Sequence, residues 1–254
     1  MHLCLPRKGV WIRAWSTQQR IIGGSATTIS KYPFAAHFQR LNNNNVWQPH
    51  CGGSLLSNTV VLSAAHCFDA GLSVSRYRVR LGSSSSISGG TLFSVASYLN
   101  HPEYNELDKD VAIVRLATPA VYSDVIKAAR IPSNSFPIAD DTKLTVGGPA
   151  AEILQEVQVN KINQDICAER YRILNEQRPP WSQLPEVTNN MFCSGILDVG
   201  GKDGCKGDSG GPVIIDNDIV VGITSWGERC AEALYPGVNA DVSAVSDWIV
   251  ANAN

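Results

Sequence analysis

The chain has 254 residues, 44% of them hydrophobic and 17% charged, with 21 Lys plus Arg against 23 Asp plus Glu. That length and apolar content support a real core in one large or two small domains and exclude a disordered or acidic-tail chain. A formal charge of −2 gives no electrostatic case for nucleic acid or an anionic membrane, and no apolar run approaches the ~18 residues that a membrane helix needs.

In chain order, residues 1–20 come first and differ in character from the rest of the chain. They hold four basic residues, Arg7, Lys8, Arg13 and Arg20, and no acidic one. These charges and Pro6 interrupt the apolar stretch of about 7–15 residues that a signal peptide requires. Two readings stay open: a frayed terminus, or a removable pro-segment ending at Arg20. After Ile21 the texture is short apolar runs bounded by Gly, Ser, Asn and Pro, such as LLSNTVVLSAA, DVAIVRLATP, KLTVGGP and PVIIDNDIVVGITSW. Such runs predict strands, with a tight hairpin at Asn217-Asp218. Helical spacing occurs around Asn163–Arg172 and at the C-terminus, where Val242, Val245, Trp248 and Ile249 share a face and Asp241 would cap. Residues 175–190 contain three prolines and read as a surface loop; Asn42–Asn45 and Ser83–Ser86 read as polar turns. No repeat and no Asn-x-Ser/Thr sequon occurs. The class is all-β with a terminal helix.

The seven cysteines are Cys4, Cys51, Cys67, Cys167, Cys193, Cys205 and Cys230, and none has the C-x-x-C spacing of a structural zinc site. Buried thiols in a cytosolic protein are one reading; a secreted, disulfide-bonded domain suits the composition better. The odd count leaves one thiol over, and Cys4 stands alone near the start.

Three segments carry chemistry. In CKGDSGGP, Cys205 to Pro212, a serine sits among glycines that let the backbone bend so that hydroxyl and amides converge. LSAAHC puts His66 beside Cys67. DVAIVRL opens a buried-looking strand with Asp110, where an acid is costly unless hydrogen-bonded. A Gly-rich turn, a lone His or a strand-edge Asp is each commonly structural. Together, in the order His, Asp, Ser, they form an acyl-transfer constellation.

On these residues the chain resembles the chymotrypsin/trypsin family of serine endopeptidases, which is itself the reference case for that chemistry. The resemblance runs from IIGG at Ile21–Gly24 to the terminal helix and is carried also by CGGSLLSNTVVLSAAHC, SWG and PGV. KYPF, CAERY and LDVGGKDGC look most like digestive trypsins of moths and butterflies. The resemblance implies two packed six-stranded antiparallel Greek-key β-barrels with a C-terminal α-helix, the trypsin-like fold. It divides the chain into residues 1–20 (pro-segment or atypical N-terminus), 21–130 (N-terminal barrel) and 131–254 (C-terminal barrel with terminal helix). It makes Ser209 the nucleophile, His66 the general base and Asp110 its orienting acid, with the amides of Gly207 and Ser209 as oxyanion hole. Asp203 becomes the acid of a primary pocket taking Arg or Lys, walled by Gly227 and Gly237, and Ser225, Trp226 and Gly227 line the groove. Cleavage after Arg20 would free the Ile21 amine to pair with Asp208. The implied disulfides are Cys51–Cys67, Cys167–Cys193 and Cys205–Cys230. Loss of residues 1–20 would discard Cys4 and leave 17 basic against 23 acidic residues, a net charge of −6.

Three departures from the family pattern stand out. TVGGPAAEILQEV lacks the family's Gly-Trp-Gly strand end and following loop, which predicts a shortened loop near Gly148 beside the pocket for the new N-terminus. The 25 residues between Cys167 and Cys193 exceed the usual spacing, and the insertion would lie beside the outer substrate groove. No acid occurs between Asp69 and Glu103, so no calcium site is expected, and neither is any other metal or cofactor. The expectation is a secreted, extracellular (gut-lumen) digestive endopeptidase, monomeric, made as a zymogen. It would act on protein or peptide substrates, meet protein inhibitors, and bind no nucleic acid or membrane. The alternatives are a non-catalytic homologue acting as a binding protein and a narrowly specific processing protease.

Overall fold

The computed structural model describes residues 21–148 and 152–253. The expected pro-segment, with Cys4 and Arg20, lies outside them. Strand β1 (Ser25–Ala26) is followed by β2 (Ala35–Leu41), β3 (Trp47–Ser57), β4 (Val60–Ser63), β5 (Tyr77–Leu81), β6 (Thr91–Asn100) and β7 (Ala112–Leu116). β2 to β7 close an antiparallel barrel in the order β2-β3-β4-β7-β6-β5. A second barrel comes from β8 (Lys143–Gly148), β9 (Gln155–Ile162), β10 (Met191–Gly195), β11 (Pro212–Ile215), β12 (Ile219–Trp226) and β13 (Gly237–Asp241). Its order is β9-β10-β13-β12-β11-β8, and β8 pairs back onto β9. The two six-stranded barrels and the terminal helix are the architecture expected from the motifs.

Strand alternation explains the cores. In β6, Phe93 and Val95 point inward while Leu92, Ser94 and Ala96 face out, the two-residue period of a half-buried strand. Val60, Val61, Leu62, Val114 and Leu55 fill the first barrel; Leu144, Val146, Val157, Val159, Val213 and Val221 fill the second.

The terminal segments exchange partners. β1 pairs with β9, and the Lys31 ammonium lies 2.7 Å from Glu156, so the start of the described chain lies on the second barrel. The C-terminal helix α2 (Ser246–Asn252) buries Ile249, and the turn before it Val245, in the core cluster that holds the first barrel's residues, and Arg115 donates to the Asn252 carbonyl at 2.7 Å.

Local structure differs from the sequence reading at three points. The β11–β12 turn centres on Asp216 and Asn217 (φ 49° and 66°), one residue before the expected pair. Asp and Asn tolerate that left-handed backbone, while Asp218 instead pairs with Arg130 at 2.6 Å. Asp241 does not cap α2: it accepts from the Ser243 N–H at 2.8 Å, at the start of a 3-10 turn, Ser243–Val245, that precedes the helix. Helix α1 (Gln164–Glu176) outruns the expected pattern. The Asn163 side chain caps it, accepting from Ile166 N–H at 3.1 Å, and Arg172 pairs with Glu169 and Glu176 along its exposed face, the spacing that supports a helix.

All three disulfides implied by the family pattern are present, Cys51–Cys67, Cys167–Cys193 and Cys205–Cys230, each worth about 2–4 kcal/mol by restricting the unfolded chain. The acid-free segment after Asp69 is organised by Arg80. This residue is 6% exposed and donates to the carbonyls of Ser86, Ile87 and Gly89. Among the described residues no helix is long and apolar enough to cross a membrane.

Candidate active site

His66 lies in a 3-10 turn, Ala65–Cys67, directly after β4, and Asp110 lies two residues before β7. Antiparallel pairing of β4 with β7, Ser63 opposite Ala112, carries the two together. His66 Nδ1 is 2.7 Å from Asp110 Oδ2, and the His66 backbone N–H donates to Oδ1 at 2.8 Å. The Ser225 hydroxyl adds a third donor at 2.5 Å. Asp110 is fully buried, and a buried carboxylate is tolerated only with such partners. Burial draws the His66 imidazole's pKa down, but the hydrogen bond and charge of Asp110 outweigh it and leave the pKa raised.

The second barrel brings the Ser209 backbone beside this pair. Its carbonyl accepts from the Gly52 N–H of β3 at 2.8 Å, and Cys67 Sγ lies 4.0 Å from both that carbonyl and His66 Nε2. The turn that presents Ser209 is fixed from within. Asp208 N–H donates to the Cys205 carbonyl, Cys205 N–H to Asp208 Oδ2, both at 2.9 Å, and Gly211 N–H to the Asp208 carbonyl at 2.8 Å. Gly207 adopts φ 96°, a left-handed value that favours glycine. A Cβ on Gly210 would sit 2.4 Å from Ser63 Oγ and 2.5 Å from the Gly52 carbonyl, so only glycine admits this approach of the barrels. Among the described residues the N–H groups of Gly207 and Ser209 have no acceptor.

A pocket of about 190 Å³ opens beside Ser209, lined also by Asp203, Ser225, Trp226, Gly227 and Gly237. Asp203 is 5% exposed and accepts from the Ala231 N–H at 3.1 Å. Burial raises its carboxyl to about 7, against the pull of backbone donors at Ala231 and Gly204. A Cβ on Gly237 would meet Asp203 Oδ1 at 2.6 Å, so a side chain there would cover the acid. A Cβ on Gly227 would lie 3.7 Å from Gly237 Cα; the pairing of β12 with β13, Trp226 opposite Val238, makes the two glycines neighbours on the pocket lining.

Beneath the turn, Ile21 is 1% exposed and packs with Leu144 and Val146. Ile22 exchanges backbone hydrogen bonds with Asp203, its N–H at 2.9 Å and its carbonyl at 3.2 Å. Gly148 separates Ile21 from Asp208: a Cβ there would lie 2.4 Å from the Ile21 side chain and 2.9 Å from Asp208 Oδ1. Ile21 is thus buried close to Asp208, with Gly148 between them. Cys51, His66 and Cys67 place donor atoms within 4.8 Å of one another. The two sulfurs are joined to each other, so the cluster offers no thiolate to a metal.

Comparison with known proteins agrees with this geometry. Residues 21–249 match the trypsin family profile. Alkaline trypsin C of Manduca sexta is 43% identical over 244 residues, covering 92% of this chain and 91% of the relative. Trypsin CFT-1 of Choristoneura fumiferana is 41% identical over 246 residues (93% and 92%), and a trypsin of Phaedon cochleariae 40% over 241 residues (90% and 86%). The chain belongs to the trypsin family. It is a trypsin-like serine endopeptidase.

Within that family frame, several contributors escaped the sequence reading. Ser225, expected only as a groove residue, also holds Asp110. Tyr171 of α1 packs edge-on against Trp226 with ring centres 4.9 Å apart, and its hydroxyl donates to the Pro236 carbonyl at 2.8 Å. Asp108 accepts from Thr188 Oγ1 at 2.6 Å and from Asn190 Nδ2 at 3.0 Å, tying the two barrels together beside Asp110. SWG and CAERY contain Ser225 and Tyr171 without indicating these contacts, and α1's period, with Cys167 and Tyr171 on its buried face, points at Tyr171 as well.

Proposed function

We propose that this protein is a secreted digestive endopeptidase that cleaves after Arg or Lys through an acyl-enzyme. In this reading His66 takes the Ser209 hydroxyl proton as Ser209 attacks the scissile carbonyl, and later returns it to the leaving amine. Asp110, held by the His66 N–H and the Ser225 hydroxyl, fixes the imidazole tautomer and stabilises its charged form. The amides of Gly207 and Ser209 receive the oxyanion; losing one such donor costs about 2.7–4 kcal/mol of barrier. Water then resolves the acyl-enzyme with the same base.

Specificity rests on one observation, the buried carboxylate of Asp203 in the pocket that Ser209 borders, with Gly227 and Gly237 leaving the path to it clear. A long cationic side chain entering there would pair with the acid and release its burial penalty. Cleavage after Arg20 would free the Ile21 amine, which the burial of Ile21 beside Asp208 would bring to that carboxylate. Breaking such a buried pair costs ~3–5 kcal/mol, enough to disorder the turn in a zymogen. Protein protease inhibitors presenting Arg or Lys are the partners such a cleft admits. Likeness to the named trypsins of Manduca sexta and Choristoneura fumiferana, together with the presence of His66, Asp110 and Ser209 in this chain, favours turnover over a binding-only homologue.

The test uses chain cleaved after Arg20. Turnover of a benzoyl-Arg p-nitroanilide, at least about a hundredfold faster than of a Phe analogue and abolished by Ser209→Ala, is expected. Absence of Arg-peptide turnover by correctly cleaved, disulfide-bonded protein would overturn the reading.

A further inference from the structure

The segment after α1 is attached at both sides of the cleft. Asn175 clamps Leu184, donating to its carbonyl and accepting from its N–H, both at 2.8 Å. Arg178 donates to the Ser182 carbonyl at 2.9 Å and makes an ion pair with Glu228, the residue after Gly227 in the groove strand. Both side chains are largely covered, Arg178 at 22% and Glu228 at 15% exposure. The Glu228 N–H reaches the Tyr171 hydroxyl at 3.3 Å, so α1 and the segment grip this stretch together. At its far end the segment bonds Asp108 through Thr188 and Asn190. Asp108 is flanked by Leu107 and Lys109, both at positive φ (70° and 48°). Arg229 also nears Glu228, but at 3.9 Å and from a 74% exposed position, where a pair contributes little.

We propose that residues 175–190 form a substrate-selecting strap in which Arg178, by neutralising Glu228, makes the groove indifferent to charge upstream of the cleaved bond. The inference rests on the endopeptidase reading. With Arg or Lys in the Asp203 pocket, substrate backbone paired along 225–227 would run toward Glu228. Side chains alternate along a strand, so the third residue before the cleaved bond shares a face with the first, and Glu228 lines the pocket that takes the first; the third residue is therefore the one we place toward that carboxylate. Left unpaired, Glu228 would draw a basic residue to that position and repel an acidic one. Left without Glu228, Arg178 would do the reverse. Arg178 is therefore a positioning and specificity-determining residue that acts through another side chain and touches no reacting atom.

The test compares fluorogenic peptides Lys-Ala-Arg, Ala-Ala-Arg and Glu-Ala-Arg within each variant, so that a general loss of activity cancels in the ratio. The parent enzyme should show Lys-to-Glu ratios of kcat/KM within about threefold, since the pair presents no net charge. Arg178→Gln should favour Lys over Glu by about fivefold to tenfold through KM, with kcat ratios unmoved and the preference lost in high salt. Glu228→Gln should invert the preference, and the double variant should return to indifference. The affinities of the same peptides for Ser209→Ala protein give the same ranking without turnover, so failure of the endopeptidase reading leaves this test decidable. Equal ratios in all four proteins would overturn the proposal, as would the same direction of shift for both single variants. Should Arg178→Gln not fold, the inverted preference of Glu228→Gln decides alone.

Discussion

Replacing Asp203 by Asn tests the heart of the specificity reading, because it removes a charge and almost no volume. The amide oxygen can still accept from the Ala231 N–H, which now lies 3.1 Å from the carboxylate. What is lost is the partner for a substrate guanidinium in a site that is 5% exposed. Removing one member of a buried ion pair costs ~3–5 kcal/mol, which at about 1.36 kcal/mol per tenfold lowers kcat/KM for Arg and Lys substrates by roughly 10² to 10⁴. Hydrolysis of a Leu or Phe p-nitroanilide should change little, so the ratio between substrates is the quantity to measure. The same substitution has an opposite signature in stability. Burial lifts the Asp203 carboxyl from 3.8 to about 7. The raised value means a stability contribution fully present below 3.8 and lost as the pH rises through about 7. Ionising the buried acid costs the unliganded enzyme about 4 kcal/mol at alkaline pH, at 1.36 kcal/mol per tenfold in the ionisation constant. Asp203→Asn should therefore be more stable relative to the parent at pH of about 8 than at about 4, read from denaturant midpoints. A variant that kept Arg-peptide kcat/KM within about tenfold of the parent would refute the assignment of Asp203 to substrate recognition.

Neighbouring geometry carries further expectations. Activity should rise with pH through the neutral range, because the raised imidazole of His66 must lose its proton to act as base and Asp203 must ionise to hold a cation; a flat profile between about pH 5 and 9 would contradict both. Ser225→Ala removes a donor to a buried carboxylate, a bond worth about 1.5–3 kcal/mol, and should lower kcat about tenfold or more with KM nearly unchanged. Gly148→Val would press a side chain between Ile21 and Asp208 and should yield cleaved but poorly active protein, recognisable by weak binding of a benzamidine-type ligand with an unchanged far-ultraviolet spectrum. Arg80→Ala strands carbonyls of the loop after β5 and should cost about 2–3 kcal/mol, seen as a lowered Tm, whereas EDTA should leave the parent's Tm where it is.

Local pattern was enough to establish an all-β class and to mark the three segments that carry chemistry, while the two barrels were implied by the family resemblance. Short apolar runs bounded by polar turn formers, such as LLSNTVVLSAA, read as strands, and the glycines of CKGDSGGP permit a backbone that other residues resist. His66, Asp110 and Ser209 stood out because each sits in a local pattern that needs few other residues to explain it. The six cysteines of the described chain were countable, but their pairing came from resemblance, since spacing alone leaves fifteen connectivities open. Which residues serve the triad from a distance was settled by packing. Ser225 lies 115 residues from the Asp110 it supports, and Arg178 lies 50 residues from Glu228. No local period or propensity encodes such contacts, because they depend on how two barrels and one inserted segment are packed around the cleft. The exchange of terminal segments between barrels depends likewise on pairing between distant elements, and the β11–β12 turn falls at Asp216–Asn217, one residue before the pair that the local residues predicted. Composition, charge and motif thus defined an acyl-transfer enzyme, and packing defined how its pocket and groove are held.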